Sequence, residues 1–335
     1  MFSWGSLSRY RNELFGLSII EILIFHFFEN YFDSSDGIKG ILYYLGKAYD
    51  LFLGSIGVEV FLFLSGMGLY YSLKKRKDNS IINFYKRRFK RLLPSFITVA
   101  ILYYAWRNFI YTEHGFYGFI RGIFFIDFFK AHDTTYWFIL LILIMYILFP
   151  YLYSLLNDSN AKRNINLVFV IFIWLVACII IYFNKKLFIN IEILLMRIPI
   201  FILGLYFGDI IMNDKKLTKY TLLVLLIIVM LKLLLIKESE FPIVGRIIAS
   251  GWTFPIMFFG VFIIKNVASN IGILNRFIRY SGSLSLELYI VHVSLREFLN
   301  AYGFTMSILW HYLIMIVLSY FFATVIKKLQ GYFIS

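Results

Sequence analysis

Ionisable side chains lie inside long apolar runs of this sequence, among them Glu21 and His26 in the first run, Glu59 in the second, and Glu287 and His292 near the C-terminal end. A charge held in hydrocarbon costs at least about 2.5–3.5 kcal/mol on insertion scales, so each such residue is a functional candidate. At 1.5 Å per helical residue, His26 falls about 11 Å and Glu59 about 13 Å below the same membrane surface. The two are therefore expected at one level on consecutive antiparallel helices, as a hydrogen-bonded pair. An imidazole oriented by a carboxylate is suited to taking a proton from a hydroxyl and returning it to a leaving group. Glu21 lies five residues before His26, about 140° away around the helix, and is assigned a different partner. Arg197, His292, Tyr136 and Trp137 are candidates to line the same site, although membrane interfaces attract Tyr and Trp in any case. Lys232 and Arg246 stand near span ends, where long cations snorkel to the surface.

A second kind of chemistry is written in the segment KKRKDNSIINFYKRRFKRLLP. It holds nine Lys or Arg in the eighteen positions from Lys74 to Arg91. Lys74 to Lys77 read as a topological signal and a contact for anionic lipid headgroups. Arg87, Arg88 and Arg91 immediately precede Leu92-Leu93-Pro94, where an apolar run begins. Guanidiniums at such a place suit phosphate or pyrophosphate groups.

The elements that must position these residues follow from composition. Of 335 residues, 61% are apolar or aromatic and 16% charged, with 38 Phe and 25 Tyr, and the mean hydropathy is +0.78. Soluble domains carry roughly 45–50% apolar and 25% charged residues; here the surplus calls for a bilayer. Ten apolar runs fall at roughly 13–32, 50–72, 92–112, 135–156, 165–183, 191–211, 219–236, 243–264, 281–299 and 305–326. The expected fold is an all-α polytopic membrane protein, a single domain over 1–335 with about ten transmembrane helices and no separate soluble domain. The segment 116–130 is too short and too interrupted to span, and is expected to lie in the interface or re-enter. The first run is longer than a signal peptide and carries Glu21 and His26, so it reads as a retained span.

A net charge of +14 would suggest nucleic acid in a soluble chain. Here the charges cluster between apolar runs, and about 21 of the 33 cations fall on one side if the chain starts in the cytoplasm. Both termini are therefore expected in the cytoplasm of a multi-pass cell-membrane protein, with membrane lipids rather than nucleic acid as surroundings. One cysteine, Cys178, gives neither a disulfide framework nor a metal cluster. A transporter or flippase of a lipid-linked saccharide shares this composition, but its usual sign, paired Gly/Pro-broken segments in two halves, is missing from the sequence.

Six stretches in order resemble the integral-membrane acyltransferase family 3: ELFGLSIIEILIFH, GVEVFLFLSGMGLYYSL, FYKRRFKRLLPSF, YWFILLILIMYILFP, RIPIFILGLYFG and SGSLSLELYIVHV. The resemblance implies transfer of an acyl group, usually acetyl, from cytoplasmic acyl-coenzyme A to a hydroxyl of a surface carbohydrate, exopolysaccharide or lipid-linked glycan, without a metal. It places the family's first-helix histidine at His26, its RxxR element at Arg88 and Arg91, and its acidic second-helix residue at Glu59. The family's first-helix arginine, eleven residues before the histidine, falls on Phe15. Arg11 is the nearest cation, one turn lower, and joins Arg87, Arg88 and Arg91 as a candidate for the donor's phosphates.

Overall fold

The computed structural model describes residues 3–34, 40–75, 80–234 and 242–334. Arg76 and Lys77 of the basic run lie outside the described residues, as does the side chain of Arg246. Among the described residues the architecture is all-helical, with one isolated bridge between Ser3 and Lys216 and no strand. A one-turn helix α1 (Ser6–Arg9) leads into α2 (Arg11–Ser34), followed by α3 (Ile41–Phe52) and α4 (Ile56–Lys74). Next comes α5 (Ile81–Ala105), which runs into a π-helical turn over Trp106–Tyr111, and then the short α6 (Gly115–Ile123) and α7 (Ile126–Ala131). The chain continues through α8 (Trp137–Leu156), α9 (Asn160–Tyr182), α10 (Lys185–Leu195) and α11 (Ile198–Met212). It ends with α12 (Lys219–Leu234), α13 (Pro242–Asn266), α14 (Gly272–Ser283), α15 (Ser285–Ala301) and α16 (Leu309–Ile334).

Seven helical segments among the described residues are long and apolar enough to cross a membrane: Arg11–Asp33, Ile41–Lys74, Trp137–Leu156, Asn160–Tyr182, Lys185–Met212, Ile247–Asn270 and Leu309–Gly331. The sequence runs predict ten; the three that fall short do so for visible reasons. α5 carries five cations between Lys86 and Arg91, the described part of α12 is 16 residues long, and α15 is a 17-residue helix holding Glu287, Arg296 and Glu297. Two of the seven are composite. Gly54, at φ +53°, separates α3 from α4, and Pro199 in the first turn of α11 begins a new helix after α10. The outward faces of α9, α12 and α16 are rich in exposed Ile, Leu, Val and Phe, the surface expected of helices that meet lipid.

Small residues set the closest helix contacts. Gly66 of α4 sits against the backbone of Phe201, and Gly204 of α11 against the backbone of Phe63, so a side chain at either would collide with main chain. Gly16 of α2 and Gly282 of α14 meet in the same way, against Ile278 and Asn12. α4 is thereby the buried centre of the bundle, with most of its residues from Ile56 to Leu73 inaccessible.

Glu21 explains how α2 holds the start of that central helix. Its Oε2 accepts the backbone N–H of Gly57 at 2.7 Å, and its Oε1 accepts the Tyr49 hydroxyl at 2.6 Å. The first N–H groups of a helix lack internal acceptors and carry the positive end of its dipole, so a carboxylate from a neighbouring helix satisfies both needs. Glu21 thus has a partner other than His26, as its angular offset predicts. Replacing it, Glu21→Ala, should lower stability by about 0.5–2 kcal/mol, the range for losing a helix N-terminal cap. Thermal unfolding of the detergent-solubilised protein, followed by size-exclusion fluorescence, measures the change.

Candidate functional site

A cavity of about 450 Å³ enters the bundle between α2, α4, α5, α8, α15 and α16. Its mouth is basic: Arg9, Arg11, Arg88, Arg91 and Lys327 line it, with the polar Ser8, Asn12 and Gln330. Deeper in, the walls become apolar at Ile22, Val58, Phe61, Phe138 and Ile142, and Tyr289 also lines the cavity. α5 builds one side of the mouth because its N-terminal half is cationic while its apolar half follows Pro94. Gln330 of α16 donates to the Arg91 carbonyl at 2.6 Å, fixing the rim.

Arg11 does reach this mouth. Its guanidinium lies 5.2 Å from the Phe15 ring centroid and packs on Gly68 of α4, where a glycine leaves room for it. Its buried Nε has no hydrogen-bond partner. Arg88 lies 5.5 Å over the Phe84 ring, and Arg91 lines the same opening. Arg87, grouped with them from the sequence, is not among the residues lining the cavity. The mouth contains one deeply buried acid, Glu287, whose Oε1 accepts from Ser95 Oγ at 3.2 Å and faces Lys327 Nζ at 3.5 Å.

His26 lies beyond the apolar end, one turn above Ile22 on α2. Its ring is 18% exposed, and its centroid is 5.4 Å from that of His292. His292 is fully buried, and Tyr289, which lines the cavity, sits 5.7 Å from it. The His292 Nδ1 bonds the Leu288 carbonyl at 2.9 Å. A carbonyl only accepts, so Nδ1 carries the proton and Nε2 keeps its lone pair. That Nε2 is buried and has no hydrogen-bond partner.

The carboxylate at the His26 ring is Glu29, which corrects the expected pairing with Glu59. Glu29 Oε2 lies 2.8 Å from His26 Nδ1, and Arg296 Nη1 lies 2.7 Å from the same nitrogen and 3.1 Å from the same Glu29 oxygen. Arg296 has only donors and Glu29 only acceptors. A proton on Nδ1 therefore goes to Glu29, and a lone pair on Nδ1 takes the Arg296 proton. Neither Glu29 nor Arg296 was singled out from the sequence. The available signal was spacing: Glu29 follows His26 by three residues and Arg296 follows His292 by four, each one helical turn on the same face.

Glu59 is buried beside a different cation. Its Oε1 is 3.5 Å from Arg197 Nε, and both side chains are almost wholly inaccessible. Arg197 also donates to the Ile193 carbonyl at 3.0 Å and Ser55 Oγ at 3.4 Å, and stacks 4.7 Å over the Trp137 ring. Glu59, Arg197 and Trp137 are thus brought together, as a cluster separate from the histidine pair's own hydrogen bonds. Tyr136 is fully buried, its hydroxyl 2.5 Å from Ser294 Oγ on α15. Removing one member of a buried ion pair leaves the other uncompensated, at about 3–5 kcal/mol, whereas replacing both by apolar groups is often near neutral. Glu59→Gln should lower the unfolding temperature markedly, and the double variant Glu59→Leu with Arg197→Met should recover most of the loss in the same melting assay.

No curated protein and no solved structure matched this chain. A model of the acyltransferase domain family matches residues 16–328. That span takes in both histidines and Arg88, Arg91 and Lys327 of the mouth, while Arg9 and Arg11 precede it. The chain therefore belongs to the acyltransferase 3 family.

Proposed function

We propose that this protein transfers an acyl group, by preference acetyl, from cytoplasmic acyl-coenzyme A to a hydroxyl of a surface carbohydrate, exopolysaccharide or lipid-linked sugar. The observation that carries the reading is the gradient within one cavity, from four arginines at the mouth, through apolar walls, to Tyr289, which lies against the first of two adjacent histidines, His292. The buried, unpartnered Nε of Arg11 fits a phosphate-bearing donor, because a guanidinium in a bundle calls for an anion. Arg11, Arg88 and Arg91 would hold the phosphates. The donor supplies the activated acyl thioester; the chain supplies position and proton handling.

His26 acts as general base. With Nδ1–H directed to Glu29, Nε2 takes the proton of the attacking hydroxyl, and the ring becomes an imidazolium held by the Glu29 carboxylate; the hydroxyl oxygen bonds the thioester carbonyl carbon, the C–S bond breaks, and the Nε2 proton passes to the departing coenzyme A sulfur. Arg296 donates to the same Glu29 oxygen at 3.1 Å and balances that carboxylate. His292 lies against the same ring, with its tautomer set by the Leu288 carbonyl. The apolar walls keep water from the thioester, and the 18% exposure of His26 gives the acceptor its approach. The orientation that follows puts the arginine mouth and both termini in the cytoplasm.

His26→Ala should lower acyl transfer by about 10²–10⁴-fold, the usual contribution of a positioned base, with the protein still present in the membrane at normal level. Purified protein supplied with acetyl-coenzyme A and candidate glycans, with coenzyme A release followed, measures it; undiminished release in the variant would sink the assignment. Arg88→Ala and Arg91→Ala should each raise the KM for the donor about tenfold or more, as expected for a lost charge-assisted hydrogen bond of about 1.5–3 kcal/mol. Each should change kcat little, and should reduce the salt sensitivity of donor binding.

A further inference from the structure

A second cavity, of about 340 Å³, opens at the far end of α5 from the arginine mouth. It lies between the π-helical turn, α6, α7 and the residues that follow α7. Arg107 is 16 residues beyond Arg91, about 24 Å along the helix, and His26 is 15 residues, about 22 Å, beyond Arg11 on α2. Both Arg11 and Arg91 mark the mouth, so this cavity and His26 stand at similar height above it. Its size is within the roughly 300–1,000 Å³ of small-molecule sites.

Three features of the backbone are concentrated here. The six-residue π-helix, a rare geometry that recurs at functional sites, carries Arg107 and Asn108 into the cavity wall. Glu113, Phe125 and His132 all adopt positive φ, three of the four non-glycine residues that do so among the described residues. Each costs about 1–3 kcal/mol and persists only where the surroundings enforce it. Phe125 and His132 bracket α7, and the Asp133 N–H donates back to the Asp127 carbonyl at 3.1 Å. The strained turn thereby brings two acids, Asp127 and Asp133, to the cavity.

The charges in this cavity are matched. Arg107 Nη1 donates to Asp133 Oδ2 at 2.8 Å, and Arg121 pairs with Asp127. Asp133 is engaged on both oxygens, by Arg107, Thr135 and the Tyr104 hydroxyl, and acts as a scaffold. Arg121 and Asp127 are held to one another through Asp127 Oδ1, and the buried Arg121 Nε has no hydrogen-bond partner. At the rim, Tyr117 is 71% exposed, with Arg121 5.3 Å from its ring centroid. The floor behind them leads to the site. Tyr104 packs edge-on against Tyr136, whose hydroxyl meets Ser294, two residues from His292.

We propose that this cavity binds a neutral sugar ring, with Tyr117 offering an aromatic face and Arg121 and Asp127 bonding ring hydroxyls. Paired charges and an unpartnered guanidinium N–H beside an exposed aromatic ring suit a polyol and disfavour an anion, in contrast with the arginine mouth. As the seat of the acyl acceptor it rests on the acyl-transfer reading; as a sugar site it does not.

Saturation-transfer difference NMR on the full chain in lipid nanodiscs, free of sugar-headed detergent, tests it with methyl glucoside, methyl galactoside and N-acetylglucosamine as probes. At least one ring should show saturation, weakened about tenfold by Tyr117→Ala and by Asp127→Asn and retained in Tyr117→Phe. Failure of all three probes at millimolar concentration overturns the proposal, as does binding that the variants leave unchanged or that inorganic phosphate displaces. Coenzyme A release in the same preparations separates the two readings. Pocket-dependent sugar binding without acyl transfer leaves the site standing and removes the transfer reading, whereas transfer that ignores the variants removes the acceptor role.

Discussion

Every charged group buried in this bundle must find its complement on another element, because hydrocarbon offers none. That requirement fixes which faces of the helices meet. Glu59 of α4 faces Arg197 at the start of α11, buried Glu13 of α2 takes the Arg279 guanidinium of α14 at 2.7 Å, and Arg163 of α9 meets Asp209 of α11 at 3.3 Å. Glycines then let the same helix pairs close: α4 on α11 through Gly66 and Gly204, α2 on α14 through Gly16 and Gly282. A rotation of either helix by one residue would break an ion pair and drive a side chain into backbone. The cavity between α2, α4 and α15 persists inside this frame because its walls are held from behind.

Depth and angle account for what was legible in the sequence. His26, His292 and the arginines before Pro94 stand out because polar residues in or beside apolar runs are few, and the structure brings the two histidines together and places Arg88 and Arg91 at one mouth. The Glu59 partner was not legible. Counting residues along a span gives a level but not the side of the helix, and a basic residue at the α10–α11 break satisfies the same level as an imidazole on α2. Glu29 and Arg296 escaped notice for another reason. They sit near helix ends, where charges ordinarily reach water, and only folding shows both turned to one imidazole nitrogen.

Seven helical segments among the described residues have the length and apolarity of a span, and two of the remaining apolar runs differ for a related reason. α5 and α15 carry the charges that make the site, Lys86 to Arg91 in one and Glu287 and Arg296 in the other, and those charges take them below the hydropathy of a lipid-facing helix. Helices that build a polar interior need not resemble helices that face lipid. α9 shows the converse, apolar through most of its length and largely exposed, with no candidate site residue.

The two cavities differ in charge balance, and that difference has a physical use. Arginines gathered at one end attract an anion and bind it more weakly as salt rises; paired arginine and aspartate at the other end present no net field and favour groups that donate and accept hydrogen bonds together. Between them lie His26 and His292 and the Tyr136–Ser294 contact. Under the proposed reaction an anionic donor and a hydroxyl acceptor would gain selectivity from such an arrangement, since neither would suit the other's entrance. The cost is strain at Glu113, Phe125 and His132, in the three turns that flank α6 and α7 around this cavity.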